Sequence, residues 1–182
     1  MDIARRDLAG LAVGIAAATP ALARPVAAAS PTDPTLQFVF SGTVMLGAPL
    51  ELGVHGGARR RFVSITGGIV TGPKISGVIL PGGGDWQEIG DDGMTDIHAR
   101  YMLRLSDGTI VGVDNPGVRT ASADIIKRLT AGEDIDPALY YFRTCPRFEV
   151  AAGPHDWLRR SVFVCQGIRH PTTVELRIFR VS

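Results

Sequence analysis

Polar and apolar residues alternate along TDIHARYMLRL, residues 95–105. Asp96, His98, Arg100, Met102 and Arg104 fall on one face, and Ile97, Ala99, Tyr101, Leu103 and Leu105 on the other. A period of two marks a strand with one buried face. YYFRTCPRFEV, residues 140–150, repeats the pattern, setting Tyr141, Arg143, Cys145, Arg147 and Glu149 against Phe142, Thr144, Pro146 and Phe148. Pro146 has no amide hydrogen to donate, so an edge, a bulge or a bend is expected there.

Six further runs rich in Val, Ile, Phe and Tyr, at 36–46, 60–72, 74–83, 109–117, 159–168 and 173–181, are divided by Gly, Pro and Asp clusters. Their spacing of roughly 8 to 12 residues is that of an all-β protein. Asp107-Gly108 predicts a tight hairpin, since glycine supplies the positive φ that such turns require. SADIIKRLTAGED, 122–134, predicts a short helix capped by Ser122 or Asp124, burying Ile125, Ile126 and Leu129 and stopped at Gly132. The expected fold is an antiparallel β-barrel of about eight to ten strands with one short helix.

The first 35 residues follow a different pattern. Residues 1–23 carry the pair Arg5-Arg6, an apolar run from Leu8 to Ala18, and small residues at Ala21 and Ala23. This predicts a cleaved signal peptide of twin-arginine type, and the run is shorter than the ~20 apolar residues of a membrane span. RPVAAASPTDPT, 24–35, predicts a flexible tether, leaving 36–182 as a single barrel domain in a periplasmic or secreted protein.

Across the 182 residues the net charge is +1, with 45% hydrophobic and 20% charged residues, so no global field steers the protein toward nucleic acid or an anionic surface. The Gly-rich stretch PGGGDW lacks the following Lys-Ser/Thr of a phosphate cradle, and the four histidines show no ligand pairing at helical spacing. No nucleophile elbow surrounds a serine. Neither a cofactor nor a metal is expected.

The segments GGIVTGPKISGVILPGGGDW (67–86), HARYMLRLSDGTIVGVDNPGVR (98–119), YYFRTCPRF (140–148) and HDWLRRSVFVCQGIR (155–169) resemble the small bacterial and fungal proteins grouped as domain of unknown function 3237, or uncharacterised protein family 0311. The resemblance spans about residues 36 to 181 and implies a compact antiparallel barrel. The family has no established general activity. Arg100, Tyr101, Asn115, Tyr141, Arg143 and Arg147 fall within the shared motifs, as does Arg119. Cys145 and Cys165 stand where smaller residues are expected. A hairpin centred on His155 would pair them as a disulfide, whereas a slip of one residue would put them on opposite faces.

Two placements remain open for the charged faces. They are solvated outer walls, or Arg100 and Arg143 line a lumen where their guanidinium forks grip an anionic oxygen. In the second case Asp85 or His98 is the proton-transfer group, and Trp86 beside Asp85 offers an apolar wall. The expected function is binding of a small apolar or aromatic anion, with cofactor-free isomerisation, cyclisation or elimination. The alternative is a periplasmic carrier with the same pocket and no turnover. Neither a nucleic-acid partner nor a stable membrane anchor after cleavage is expected, and self-association stays open.

Overall fold

A computed structural model describes Ser30 and residues 32–182; the expected signal peptide and most of the tether lie outside them. Among these residues ten strands form one antiparallel sheet: β1 (Leu36–His55), β2 (Ala58–Thr71), β3 (Gly77–Ile79), β4 (Gly83–Ile89), β5 (Met94–Leu105), β6 (Ile110–Thr120), β7 (Tyr141–Thr144), β8 (Arg147–Glu149), β9 (Phe163–Arg169) and β10 (Thr173–Val181). The sheet closes in the order β1-β2-β4-β5-β6-β7-β9-β10, so the wall is a barrel. Two positions in the wall are each shared by two short strands. β3 and β4 both lie between β2 and β5, and β7 and β8 both lie along β6. Pro81-Gly82 interrupts the first and Cys145-Pro146 the second. The proline within YYFRTCPRFE therefore marks a break in a strand.

Inward residues alternate with outward ones as the patterns predict, with Tyr101, Leu103, Phe142 and Phe148 buried. Around Leu103, Val111, Phe148 and Phe163 the interior is apolar. A second apolar cluster forms where α1 (Ala123–Thr130) plugs one end of the barrel, placing Ile126 and Leu129 against Ile89, Ile97 and Phe142. Ser122 starts that helix by accepting the Ile125 amide hydrogen, as expected of an N-cap. The Asp107-Gly108 hairpin joins β5 to β6, with Gly108 at φ 87°.

Two elements differ from the sequence expectation. PGGGDW leads into strand β4, which none of the expected runs covers beyond residue 83. The glycines that lower strand propensity there allow close packing: a Cβ on Gly84 would lie 2.0 Å from the Phe62 ring, which stacks on Trp86 at 4.8 Å. β1 also continues past its expected end at Leu46 as far as His55, pairing with β2 through a turn at Gly56-Gly57. Leu50, Leu52 and Val54 in that arm are exposed, so no buried face announced it.

The start and end of the barrel meet. Thr35 and Ser182 exchange two backbone hydrogen bonds, at 2.9 and 3.0 Å, beside the Leu36–Val181 pair.

Candidate functional site

The two apolar clusters adjoin along β5, where Ile97 belongs to the helix-capped cluster and the next inward residue, Ala99, to the larger one. Strand register sets Gln87 opposite Ile97 and Asp85 opposite Ala99, and on the next strands Arg61 opposite Gln87 and Asn115 opposite Ala99. A belt of polar side chains therefore crosses the interior. It holds Arg61, Asp85, Gln87, Thr95, Asn115, Arg119, Thr144 and Arg169, all of them buried except Asp85. Asp85 is half-buried as a residue, yet its Oδ1 is removed from solvent and has no hydrogen-bond partner.

The belt is wired asymmetrically. Arg61 donates from Nε to Gln87 Oε1 at 2.8 Å and from Nη1 to the Thr130 carbonyl at 3.3 Å. That carbonyl lies in the last turn of α1, where the helix dipole is negative. Gln87 in turn donates from Nε2 to Asp85 Oδ2. Arg169 donates to the carbonyls of Thr173 and Pro171 at 3.3 and 3.1 Å, and its backbone amide donates to the Tyr140 hydroxyl at 3.0 Å. Arg119, only 1% exposed, has Nε and Nη2 buried without acceptors; its guanidinium lies 5.9 Å from the Phe142 ring centroid.

Burial decides the protonation equilibria. It pushes Asp85 up to about 6, against the downward pull of the Gln87 hydrogen bond and of Arg119 and Arg61. The same burial, with repulsion from Arg61, brings Arg119 down to about 10. Arg61 and Arg169 are lowered chiefly by burial as well. The interior thus combines a carboxyl able to hold or release a proton near neutral pH with three guanidinium groups.

Most other sequence-predicted site residues lie elsewhere. His98, Arg100, Tyr141 and Arg147 occupy the outer wall, and Arg143, half-buried, lies over the ring of outward-facing Tyr141 at 5.0 Å. Arg100 and Arg143 therefore do not line a lumen; the alternation that buries Tyr101 and Phe142 turns both arginines outward. They line separate grooves. Arg100 lies with Gly82, Gly83 and Glu149 in a surface groove of about 650 Å³, and Arg143 with Tyr141 and Cys145 in another of about 480 Å³. His98 and Arg100 instead share the Asp114 carboxylate on the outside, at 2.6 and 3.7 Å. Trp86, 50% exposed, points away from Asp85, as adjacent residues of a strand must. Tyr101 and Asn115 face inward as buried residues, and burial raises the Tyr101 hydroxyl pKa.

The disulfide is not formed. Register pairs Thr144, not Cys145, with Cys165, which is the one-residue slip that separates the thiols. Cys145 faces solvent and Cys165 is buried.

Arg61, Gln87, Arg119 and Arg169 escaped the sequence reading as site residues. Their signal was parity: Arg61 is in step with Val63 and Ile65, Arg119 with Val113 and Asn115, and Arg169 with Phe163 and Cys165. Among the described residues no cluster of three or more metal-ligating side chains is present.

The profile of DUF3237, described as a protein of unknown function, matches residues 34–181. A UPF0311 protein of Bradyrhizobium diazoefficiens is 38% identical over 150 residues, covering 81% of this chain and 98% of that protein. The crystal structure of a conserved protein of unknown function from Rhodopseudomonas palustris superposes with a TM-score of 0.80 at 35% identity, over 84% of this chain and all of that one. A β-barrel-like protein of Acinetobacter baumannii gives 0.73 at 32% identity, over 84% of this chain and 99% of that one. More distant is the hydroalkoxylation enzyme phnH of Penicillium herquei, 32% identical over 78 residues, which are 43% of this chain and 52% of that protein. The crystal structure of an enzyme from the same fungus shares the fold, with a TM-score of 0.63 at 19% identity over 86% of this chain and all of that one.

Proposed function

The chain belongs to the DUF3237 family of proteins of unknown function, and we propose that its barrel interior binds a small acidic molecule and transfers a proton on it, with Asp85 as the acid and base. The observation that carries this reading is the Asp85 carboxyl, shifted to about 6 by burial, held on one oxygen by Gln87 and left free on the other. A carboxyl of that acidity can both take and return a proton at physiological pH. His98, Arg100 and Arg143 have no part in it.

Hydroalkoxylation, the activity in the name of the Penicillium relative, is chemistry of this kind. A hydroxyl adds across a carbon–carbon double bond: its proton leaves the oxygen, a C–O bond replaces the π bond, and a proton is delivered to the other carbon. One carboxylate can collect the first proton and return it, so neither oxidant nor cofactor is consumed. The neighbouring guanidinium groups would stabilise the oxyanion that develops between the two events. Isomerisation of an enolisable acid makes the same demands.

The test is deuterium incorporation. A small-molecule extract of the host, incubated in D2O with the wild-type barrel, should yield a species gaining one carbon-bound deuterium, detected by mass spectrometry. Asp85→Asn should bind the same molecule without that gain. A bound molecule recovered unlabelled from the wild type through repeated cycles would refute catalysis and favour a carrier.

The Arg5-Arg6 pair, the apolar run and the small residues at Ala21 and Ala23 support placing this activity outside the cytoplasm. Amino-terminal sequencing of the protein from its host tests that, with a mature start near residue 24 expected.

A further inference from the structure

The interior carries three guanidinium groups against one carboxyl, and they are not equally satisfied. Arg61 gives hydrogens to Gln87 and to the carbonyl end of α1, and Arg169 gives hydrogens to two turn carbonyls. Arg119 has neither kind of partner. Among the described residues no carboxylate lies within ion-pair distance of it, and the two nitrogens left bare are Nε and Nη2. Those two N–H groups form one edge of the guanidinium plane, the edge that takes both oxygens of a planar anion side-on. A buried cation with an unoccupied fork is costly unless something fills it.

We propose that the Arg119 fork is a carboxylate-binding subsite and that the natural ligand is a small organic carboxylic acid. This deepens the preceding reading and rests on it for where the reacting carbon lies, not for the anion itself. The fork fixes the acid group at β6, and the belt places Asp85 in the same interior, within electrostatic reach of Arg119. A ligand held by its carboxylate therefore presents the remainder of its skeleton to a group that exchanges protons. The unpartnered hydroxyl of Thr95, whose backbone is paired opposite Arg119, is a further donor on the neighbouring strand. Phe142 beneath the guanidinium supplies the apolar face against which an unsaturated skeleton can stack.

Benzoate is the probe, and benzamide its uncharged counterpart of the same shape. In thermal-shift and calorimetric titrations of the wild-type protein at constant ionic strength, benzoate should bind at least tenfold more tightly than benzamide. Arg119→Lys keeps the charge without the fork and should lose most of that preference. Arg119→Met should lose all of it, whereas Arg100→Ala on the outer wall should match the wild type. Equal binding of benzoate and benzamide would overturn the proposal, as would benzoate binding that survives in Arg119→Lys. Where an Arg119 variant fails to fold, the wild-type comparison alone can still overturn the proposal. Proton transfer is judged separately. Arg119-dependent benzoate binding combined with undiminished deuterium incorporation in Asp85→Asn would remove Asp85 from the chemistry and leave the subsite standing. Loss of incorporation in Asp85→Asn, with no carboxylate preference in the wild type, would do the reverse.

Discussion

Arg61 reaches Asp85 only through Gln87, whose amide oxygen accepts from the guanidinium at 2.8 Å while its amide nitrogen donates to the carboxylate. Because a guanidinium can only donate, this pairing fixes the orientation of the amide. It also holds Asp85 in place without a direct ion pair, while burial keeps the carboxyl pKa raised.

The stability of the barrel should depend on pH through Asp85. Its pKa rises from 3.8 to about 6 on folding. Between these values the folded state keeps a proton that the unfolded state has lost, so this contribution to stability falls as pH rises through the window. Asp85→Asn escapes that loss. The variant should be more stable than wild type by roughly 3 kcal/mol near pH 8, with the advantage gone near pH 4. Urea denaturation at the two pH values checks this, and a difference independent of pH would show that Asp85 does not titrate in this window.

Replacing Gln87 with Leu keeps the approximate volume but leaves Arg61 Nε and Asp85 Oδ2 without partners in the interior. The expected loss is about 2 kcal/mol at neutral pH. The hydrogen bond from Gln87 lowers the Asp85 pKa, so its removal should move the midpoint of the pH-dependent step upward. A stability loss with an unmoved midpoint would mean that Gln87 acts only through packing.

The two thiols should react differently. Cys145 is exposed, whereas burial pushes the Cys165 thiol up to about 12. A disulfide reagent near pH 8 should therefore label one cysteine in the native protein and both after unfolding, and Cys145→Ser should abolish native labelling. An intramolecular bridge recovered under oxidising conditions would contradict the register between β7 and β9.

Gly84 and Phe62 should be energetically coupled. A Cβ on Gly84 would lie only 2.0 Å from the Phe62 ring, so Gly84→Ala must displace that ring from Trp86 and is expected to cost about 2 kcal/mol. With Phe62→Ala already in place, the same change should cost much less. A double-mutant cycle measures the coupling; additive effects would show that the glycine is needed for its backbone alone.

The barrel was legible in the sequence because its wall obeys a local rule. On β5, Asp96, His98, Arg100 and Arg104 face outward, and the apolar Ile97, Ala99, Tyr101, Leu103 and Leu105 between and beside them are all buried. That rule also settles the direction of Arg100, since its neighbour Tyr101 cannot face inward with it. The same rule hid the interior belt. Arg61 closes a run of three arginines of which Arg59, two residues away on the same face, is exposed, and hydropathy assigns all three to solvent. Parity with Val63 and Ile65 separates it from Arg60 but not from Arg59, which differs from it only in burial, and parity ranks hydrophobic residues more readily than it finds charged ones among them. β4 was obscured for another reason. Its glycines are permitted by Phe62 and by the backbone of β5, which are close in space and distant in sequence.

The meeting of Thr35 and Ser182 makes the barrel almost cyclic in connectivity. Their paired backbone bonds already bring together the two points that a short peptide would have to join. The order in which the staves are synthesised is thus separable from the order in which they stand in the wall. A circularly permuted chain, opened at the Gly56-Gly57 turn and sealed between Thr35 and Ser182, would retain every strand pair and the whole interior belt.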